Sequence, residues 1–345
     1  MPATIRDVAH LAGVSVSAVS KVVTNADNSI RVSDETRQRI QQAIKKLHYR
    51  PSIRARSLHS GRAQMIGLIS DRDTFIVPYA YLVSERSVEC LLKRGYVTTA
   101  LLYRRGDDEA LARIADVIDE RRCDGLLLMV EEEERIRAAA AARAVPTVTI
   151  NPAEAHPYDS VIFDEFDNVR LAFTCLRDAG CRRIGYVDFT KQPARHATVM
   201  QRRAAYLRLC HAQAVTPQFL SEDYAEIDAA RTPRDLRMIP EGIITYNDTI
   251  AQKLISRIYR NRAIDPRRFN IVSAATDMFL DRMPLRISGV ALPIEAMAEA
   301  AVDMLLRRIE HGGQHVKTTS IAGVLSMRES VHPLRTARRK DMARA

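Results

Sequence analysis

Residues 4–23 read TIRDVAHLAGVSVSAVSKVV, two short amphipathic helical patterns joined at Gly13. Thr4 can cap the first helix, with Asp7 three positions on as its reciprocal partner, and Ile5, Val8, Ala9 and Ala12 fall on one face. Gly13 supplies the stop because it tolerates positive φ, and Ser15 can cap the second helix. That helix turns Val19, Val22 and Val23 inward, which leaves Val16, Ser17, Ser20 and Lys21 on the side that can reach bases. The pairing reads as a helix-turn-helix and predicts DNA binding. A third helix follows from Ser33, with Asp34 and Glu35 in its first turn and Ile40, Ile44 and Leu47 as an apolar stripe. Taken alone, the same spacing also suits three amphipathic helices of an ordinary globular domain.

The segment HYRPSIRARSLHSGR at 48–62 favours the DNA reading. Pro51 breaks the third helix, Ser52 can cap a short new one, and Arg54, Arg56 and Arg62 make it basic. Residues 1–62 hold 11 Lys and Arg against 4 acids, a net of about +7, and residues 335–345 add about +4 to a chain total of +10. The body between is therefore close to neutral, as expected for a DNA-contacting end on a separate sensor. The tail RTARRKDMARA reads as a frayed, solubilising terminus.

A chain of 345 residues is far longer than a headpiece needs. From Met65 onward short apolar runs alternate with helical patterns. MIGLIS, YVTTALL, DGLLLMV and VPTVTI read as buried strands, with helices at 79–94, 107–121 and 131–143. The alternation restarts with RIGYVD, GIITYN and FNIVSAA, with helices near 169–179, 202–212 and 249–259. Such runs predict two parallel sheets, each covered on both faces, in a two-lobed body with a cleft. The helix over 131–143, EEEERIRAAAAAR, reads as exposed, with acids at its positive end.

The segments DVAHLAGVSVSAVSKVV, VSDETRQRI, YRPSIRARSL and IGLIS resemble the LacI/GalR family of bacterial transcription regulators, and the resemblance covers nearly the whole chain. It implies an N-terminal all-α helix-turn-helix headpiece with a hinge helix, then an α/β periplasmic-binding-protein-like core of two lobes with parallel sheets. The domains it implies are a headpiece at 1–50, a hinge at 51–62, an effector-binding and dimerisation core at 63–335, and a basic tail at 336–345. Lobe 1 would be about 63–161 plus 292–322, and lobe 2 about 162–291 plus 323–335. The chain would cross between lobes near 160–163, 290–292 and 321–324.

The resemblance places DNA contacts at Thr4, Ser15, Val16, Ser17, Ser20, Lys21, Asn25, Ser33, Tyr49, Arg54, Ala55, Leu58 and His59. Leu58 holds the position of a leucine wedged into the minor groove, where unstacking costs a few kcal/mol and is offset by contacts to bent DNA. A hinge helix so short is marginal alone and would form only with DNA and a second subunit. Effector contacts map to Pro78, Tyr79, Asp164, Thr198, Arg202, Tyr224, Asn247 and Ala275. In HATVMQRRAAY at 196–206, Arg202 matches a ligand-clamping arginine, and Ala205 replaces a usual glycine. Ala275, in IVSAATDM, stands where the family commonly has an effector-binding Asp. Losing that acid predicts a more positive cleft around Arg202 and makes an anionic effector, such as a sugar acid, a reasonable expectation.

The implied partners are a pseudo-palindromic double-stranded operator, a small-molecule effector and a second copy of the chain, with no membrane, cofactor or metal. Glycine-rich nucleotide loops, His-Glu-x-x-His and Gly-x-Ser-x-Gly are missing from the sequence, so catalysis has no motif to stand on. Five cysteines at irregular spacing read as reduced thiols of a cytoplasmic protein, and MPATIRDV has no export-signal character. Ala275 keeps a second reading open, a ligand-independent DNA-binding dimer.

Overall fold

The structure, a computed structural model, describes residues 3–24, 32–49, 62–72, 78–129, 133–152, 157–188, 197–221, 223–276, 286–313 and 315–333. The chain divides into two compact units, Met1–Met65 with Arg121–Asp124, and the remainder.

In the first unit three helices form where local chemistry dictates: α1 (Ile5–Ala12), α2 (Val16–Thr24) and α3 (Asp34–Lys46). Thr4 and Asp7 make a reciprocal capping box, and Gly13 closes α1 at φ 65°. The Ala18 amide donates to Ser15 Oγ at 3.2 Å, and Ser33 Oγ accepts from the Thr36 amide at 3.3 Å. Val8, Ala9, Ala12, Val19, Ile40, Ala43 and Tyr49 close a small core, with Val22, Val23, Ile44 and Leu47 packed against it.

The second unit holds two six-stranded sheets. The first is ordered β11-β5-β4-β3-β1-β2, from β1 (Met65–Asp71), β2 (Val97–Tyr103), β3 (Gly125–Leu128), β4 (Thr147–Ile150), β5 (Asp159–Phe163) and β11 (Thr318–Ile321). The second is ordered β12-β10-β9-β8-β6-β7, from β6 (Ile184–Val187), β7 (Gln218–Phe219), β8 (Gly242–Thr245), β9 (Asn270–Thr276), β10 (Ser288–Ala291) and β12 (Val324–Ser326). Neighbours β1, β3, β4, β5 and β11 pair in parallel, as do β7, β6, β8, β9 and β10, while β12 runs antiparallel to β10.

Strands buried on both faces need apolar residues at successive positions, which explains the continuous runs. In β8, Ile244 joins a core with α7 (Glu165–Asp178) and α8 (Ala197–Ala212), while Ile243 joins another with α11 (Asp248–Arg260). In the first lobe, α4 (Pro78–Lys93) and α12 (Ile294–His311) pack over Ile66, Leu68, Leu127 and Val148.

Two longer helices depart from the sequence reading. Helix α12 was not anticipated, although Ile294, Met297, Ala298, Ala301, Val302 and Leu305 recur at helical spacing and are all buried. The helix expected at 131–143 is α6 (Glu134–Ala142), after α5 (Asp108–Asp119), and it is not wholly exposed: Ile136, Ala139 and Ala140 are buried. Glu131 and Glu132 lie outside the described residues. Two short helices, α9 (Ala225–Ala229) and α10 (Pro233–Met238), complete the second lobe.

The chain passes between sheets after Phe163, after Ala291 and between Ile321 and Val324. These crossings touch one another. The Asp164 amide donates to the Ile321 carbonyl at 3.0 Å, and the Gly323 amide donates to Asn168 Oδ1 at 3.0 Å. A Cβ on Gly323 would lie 2.5 Å from Val290 Cγ1 and 2.8 Å from both the Ala291 carbonyl and Asn168 Oδ1. Gly323→Ala is therefore expected to destabilise the core by about 1–3 kcal/mol through overpacking. Urea unfolding reads this directly, and an unchanged midpoint would show that the crossings separate without strain.

Candidate functional site

The headpiece presents one candidate surface. Capping at Ser15 starts α2 so that Val16, 42% exposed, and Ser17 are open to solvent in its first turn while Val19 is fully buried. Val16 offers an apolar contact for a thymine methyl, and Ser17 can donate to or accept from a base edge. Ser20 and Lys21 are half-buried further along α2, while Arg6, Arg39, Lys45 and Lys46 are exposed. Thr4 Oγ1 donates to Asp7 Oδ2 at 2.8 Å and Ser33 Oγ donates to Thr36 Oγ1 at 2.9 Å, so both hydroxyls stabilise helix starts. Tyr49, expected among the DNA contacts, has its ring in the headpiece core. Asn25, Arg54, Ala55, Leu58 and His59 lie outside the described residues.

The second candidate lies at the carboxyl ends of the strands, the usual ligand position in parallel α/β sheets. Helix α8 sets Thr198, Val199, Arg202, Ala205, Tyr206 and Leu209 on its buried face. Arg202, only 4% exposed, meets Glu165 at the start of α7 in a bidentate pair: Nε donates to Oε2 at 2.5 Å and Nη2 to Oε1 at 2.9 Å. Nη1 donates to the Tyr246 carbonyl at 2.8 Å, and the guanidinium carbon sits 4.4 Å from the centre of the Tyr246 ring. Burial works against the charge on Arg202, but Glu165 and the adjoining groups more than offset it, so its pKa is raised. The Tyr246 hydroxyl lies 2.8 Å from Thr198 Oγ1.

From the first lobe, Tyr79 faces this cluster. Its ring packs edge-on to Phe163 at 5.7 Å, and its hydroxyl is hydrogen-bonded to Asn151, which follows β4 with φ 50°. Burial pushes the Tyr79 hydroxyl up to about 12, helped by nearby Tyr246 and Glu165. Behind the pair, Tyr186 is fully buried and stacks on Tyr206 at 5.2 Å, and its hydroxyl has no hydrogen-bond partner among the described residues. Burial raises its pKa well above the ordinary value.

The expected effector residues separate into groups. Tyr79, Thr198 and Arg202 come together. Asp164 caps α7, accepting from the Asp167 amide at 2.9 Å, and its neighbour Glu165 is the acid that meets Arg202. Asn247 caps α11 through the Ile250 amide at 3.0 Å. Ala275, 5% exposed, is the penultimate residue of β9, its carbonyl accepting from Ser273 Oγ at 2.7 Å. Tyr224, expected to stack on a ligand, is instead 3% exposed inside a lobe core, with its hydroxyl donating to the Ile250 carbonyl at 3.2 Å. Pro78 begins α4. The positive cleft expected from Ala275 is also corrected, because Glu165 supplies the counter-charge that the sequence reading left out. Tyr246 and Asn151 each follow a strand directly and Glu165 stands one residue further on, after Asp164, and that position was the available signal.

Residues 4–52 match the family described as bacterial regulatory proteins, lacI family, and residues 173–331 match the periplasmic binding protein-like domain. The fold is that of the Lac repressor dimer bound to operator and the anti-inducer ONPF (TM-score 0.75, 19% identity, 96% of this chain and 100% of that one). It is also that of the transcriptional regulator CelR in complex with cellobiose (TM-score 0.64, 21% identity, 95% and 99%). A helix-turn-helix headpiece and a two-lobed α/β core in one chain define a DNA-binding transcriptional regulator. The ribose operon repressor of Escherichia coli (strain K12) is 30% identical over 320 residues, 89% of this chain and 93% of that protein. The HTH-type transcriptional repressor PurR of Mannheimia succiniciproducens is 26% identical over 340 residues, 95% and 98%. The chain belongs to the lacI family of bacterial regulatory proteins.

Proposed function

We propose that this regulator is a homodimeric repressor that reads a pseudo-palindromic operator and changes its operator affinity when a small polar metabolite enters the cleft around Arg202. The observation that carries the DNA half is the start of α2, where Val16 and Ser17 are exposed while Val19 locks the helix into the headpiece core. Relatives named for ribose and purine regulation support a metabolite effector. A dimer is supported by the apolar residues left exposed on α4, Tyr81, Val88 and Leu92, and on the adjoining edge strand β2, Val97 and Leu102. Two paired headpieces would bury the surface that one alone lacks. Arg54, Ala55, Leu58 and His59 would complete the DNA contacts. The protein would act in the cytoplasm without catalytic chemistry; among the described residues no helix is long and apolar enough to cross a membrane.

Selection of duplexes from a randomised library with the full chain tests the DNA reading. The expected result is a two-fold symmetric consensus. Ser17→Ala and Val16→Ala are expected to relax preference at symmetric base pairs, each by less than the about 1–3 kcal/mol of a bidentate contact. Enrichment of no symmetric sequence would overturn the proposal.

A further inference from the structure

We propose that Glu165 determines ligand specificity in the cleft: it fills the Arg202 guanidinium with a carboxylate of the chain's own, bars anionic ligands, and leaves the site to neutral, hydroxyl-bearing molecules. The inference rests on the cleft being the effector site and goes on to name the class of molecule that it admits.

Three observations converge. The pair is bidentate and nearly closed to solvent, with side-chain exposures of 5% and 4%. A ligand carboxylate or phosphate would either push Glu165 off Arg202 or sit beside the Glu165 carboxylate on the N–H groups left over. Among the described residues no second cation pairs with Glu165, so either way the carboxylate would lie beside another anion in a poorly solvated site. The remaining polar groups suit a neutral guest. Three of the five Arg202 N–H groups are used by Glu165 and Tyr246, and the described residues leave the other two for acceptors. Around them stand the hydroxyl-bearing side chains Tyr79, Thr198 and Tyr246, whose hydroxyls can exchange hydrogen bonds with ligand hydroxyls. The third observation is Ala275, an uncharged residue near the end of the strand next to β8, which adds no acid to the Arg202–Glu165 pair.

The test is a calorimetric titration of the full chain and of Glu165→Gln with two neutral probes, D-ribose and D-glucose, and two anionic ones, gluconate and ribose 5-phosphate. Glutamine keeps the length and one acceptor for Arg202 but leaves the cation without its counter-charge. The wild-type protein is expected to bind neither anion measurably, and Glu165→Gln to gain about tenfold to hundredfold in affinity for at least one, the worth of one charge-assisted contact. A merely structural role for Glu165 would weaken all ligands alike and create no affinity for anions. Tight binding of either anion by the wild-type protein, or equal anion affinity in both proteins, would overturn the inference. Should Glu165→Gln not fold, the wild-type titration alone decides. The effector reading has its own readout: if neither protein binds any of the four probes, that reading falls and this inference with it. A gain of anion binding in Glu165→Gln without neutral binding in the wild type would uphold the role of Glu165 and set aside only these two sugars.

Discussion

Ile40→Ala is expected to unfold the headpiece and to lower DNA affinity by about a hundredfold or more, while the core melts as before. Ile40 is fully buried at the centre of a cluster of seven buried residues drawn from three short helices and the turn after them. Truncating a buried isoleucine to alanine costs about 2–5 kcal/mol. A unit this small buries too little surface to hold such a reserve, so most molecules would lose the headpiece. Only the folded fraction can bind, and apparent affinity falls in proportion to it. Fluorescence anisotropy on a selected duplex measures the loss, and differential scanning calorimetry shows whether the core transition stays in place. Retention of affinity within about threefold would mean that DNA itself supplies the missing folding energy.

The second large effect is expected at the cleft. Glu165→Leu leaves Arg202 charged, 4% exposed and without its carboxylate, and is expected to cost about 3–5 kcal/mol. Combining it with Arg202→Met should recover most of that loss, because an apolar pair of similar volume needs no counter-charge. Urea unfolding of wild type, both single variants and the double variant gives the coupling energy directly. Losses that simply add would show that the two side chains stabilise the lobe independently and that the short contacts between them carry little energy.

The headpiece was legible because every signal in it is local. Thr4 and Asp7 are three residues apart, Gly13 meets its own backbone requirement, and Val8, Val19 and Ile40 fall inward by helical period alone. The central strands were legible for the same reason, since burial on both faces leaves no polar alternation to read. The region after Ala291 was harder. Helix α12 carries a clear apolar stripe, yet it lies between two crossings, outside the strand and helix alternation that marks the rest of the core. Tyr224 shows the opposite failure: an aromatic carried over by resemblance to a ligand site lies in a core, where its hydroxyl finds the Ile250 carbonyl.

The amino-acid sequence by itself determined the helix-turn-helix, the strand and helix alternation, the family and the presence of an arginine at the candidate cleft, because each depends on residues within a turn or a short run of one another. Tertiary structure alone decided what that arginine does. Glu165 lies 37 positions before Arg202, at the head of a different helix, and no local pattern joins them. Packing of α7 against α8 brings the carboxylate to the guanidinium, and at so little exposure to solvent that single approach gives the arginine a counter-charge of the chain's own.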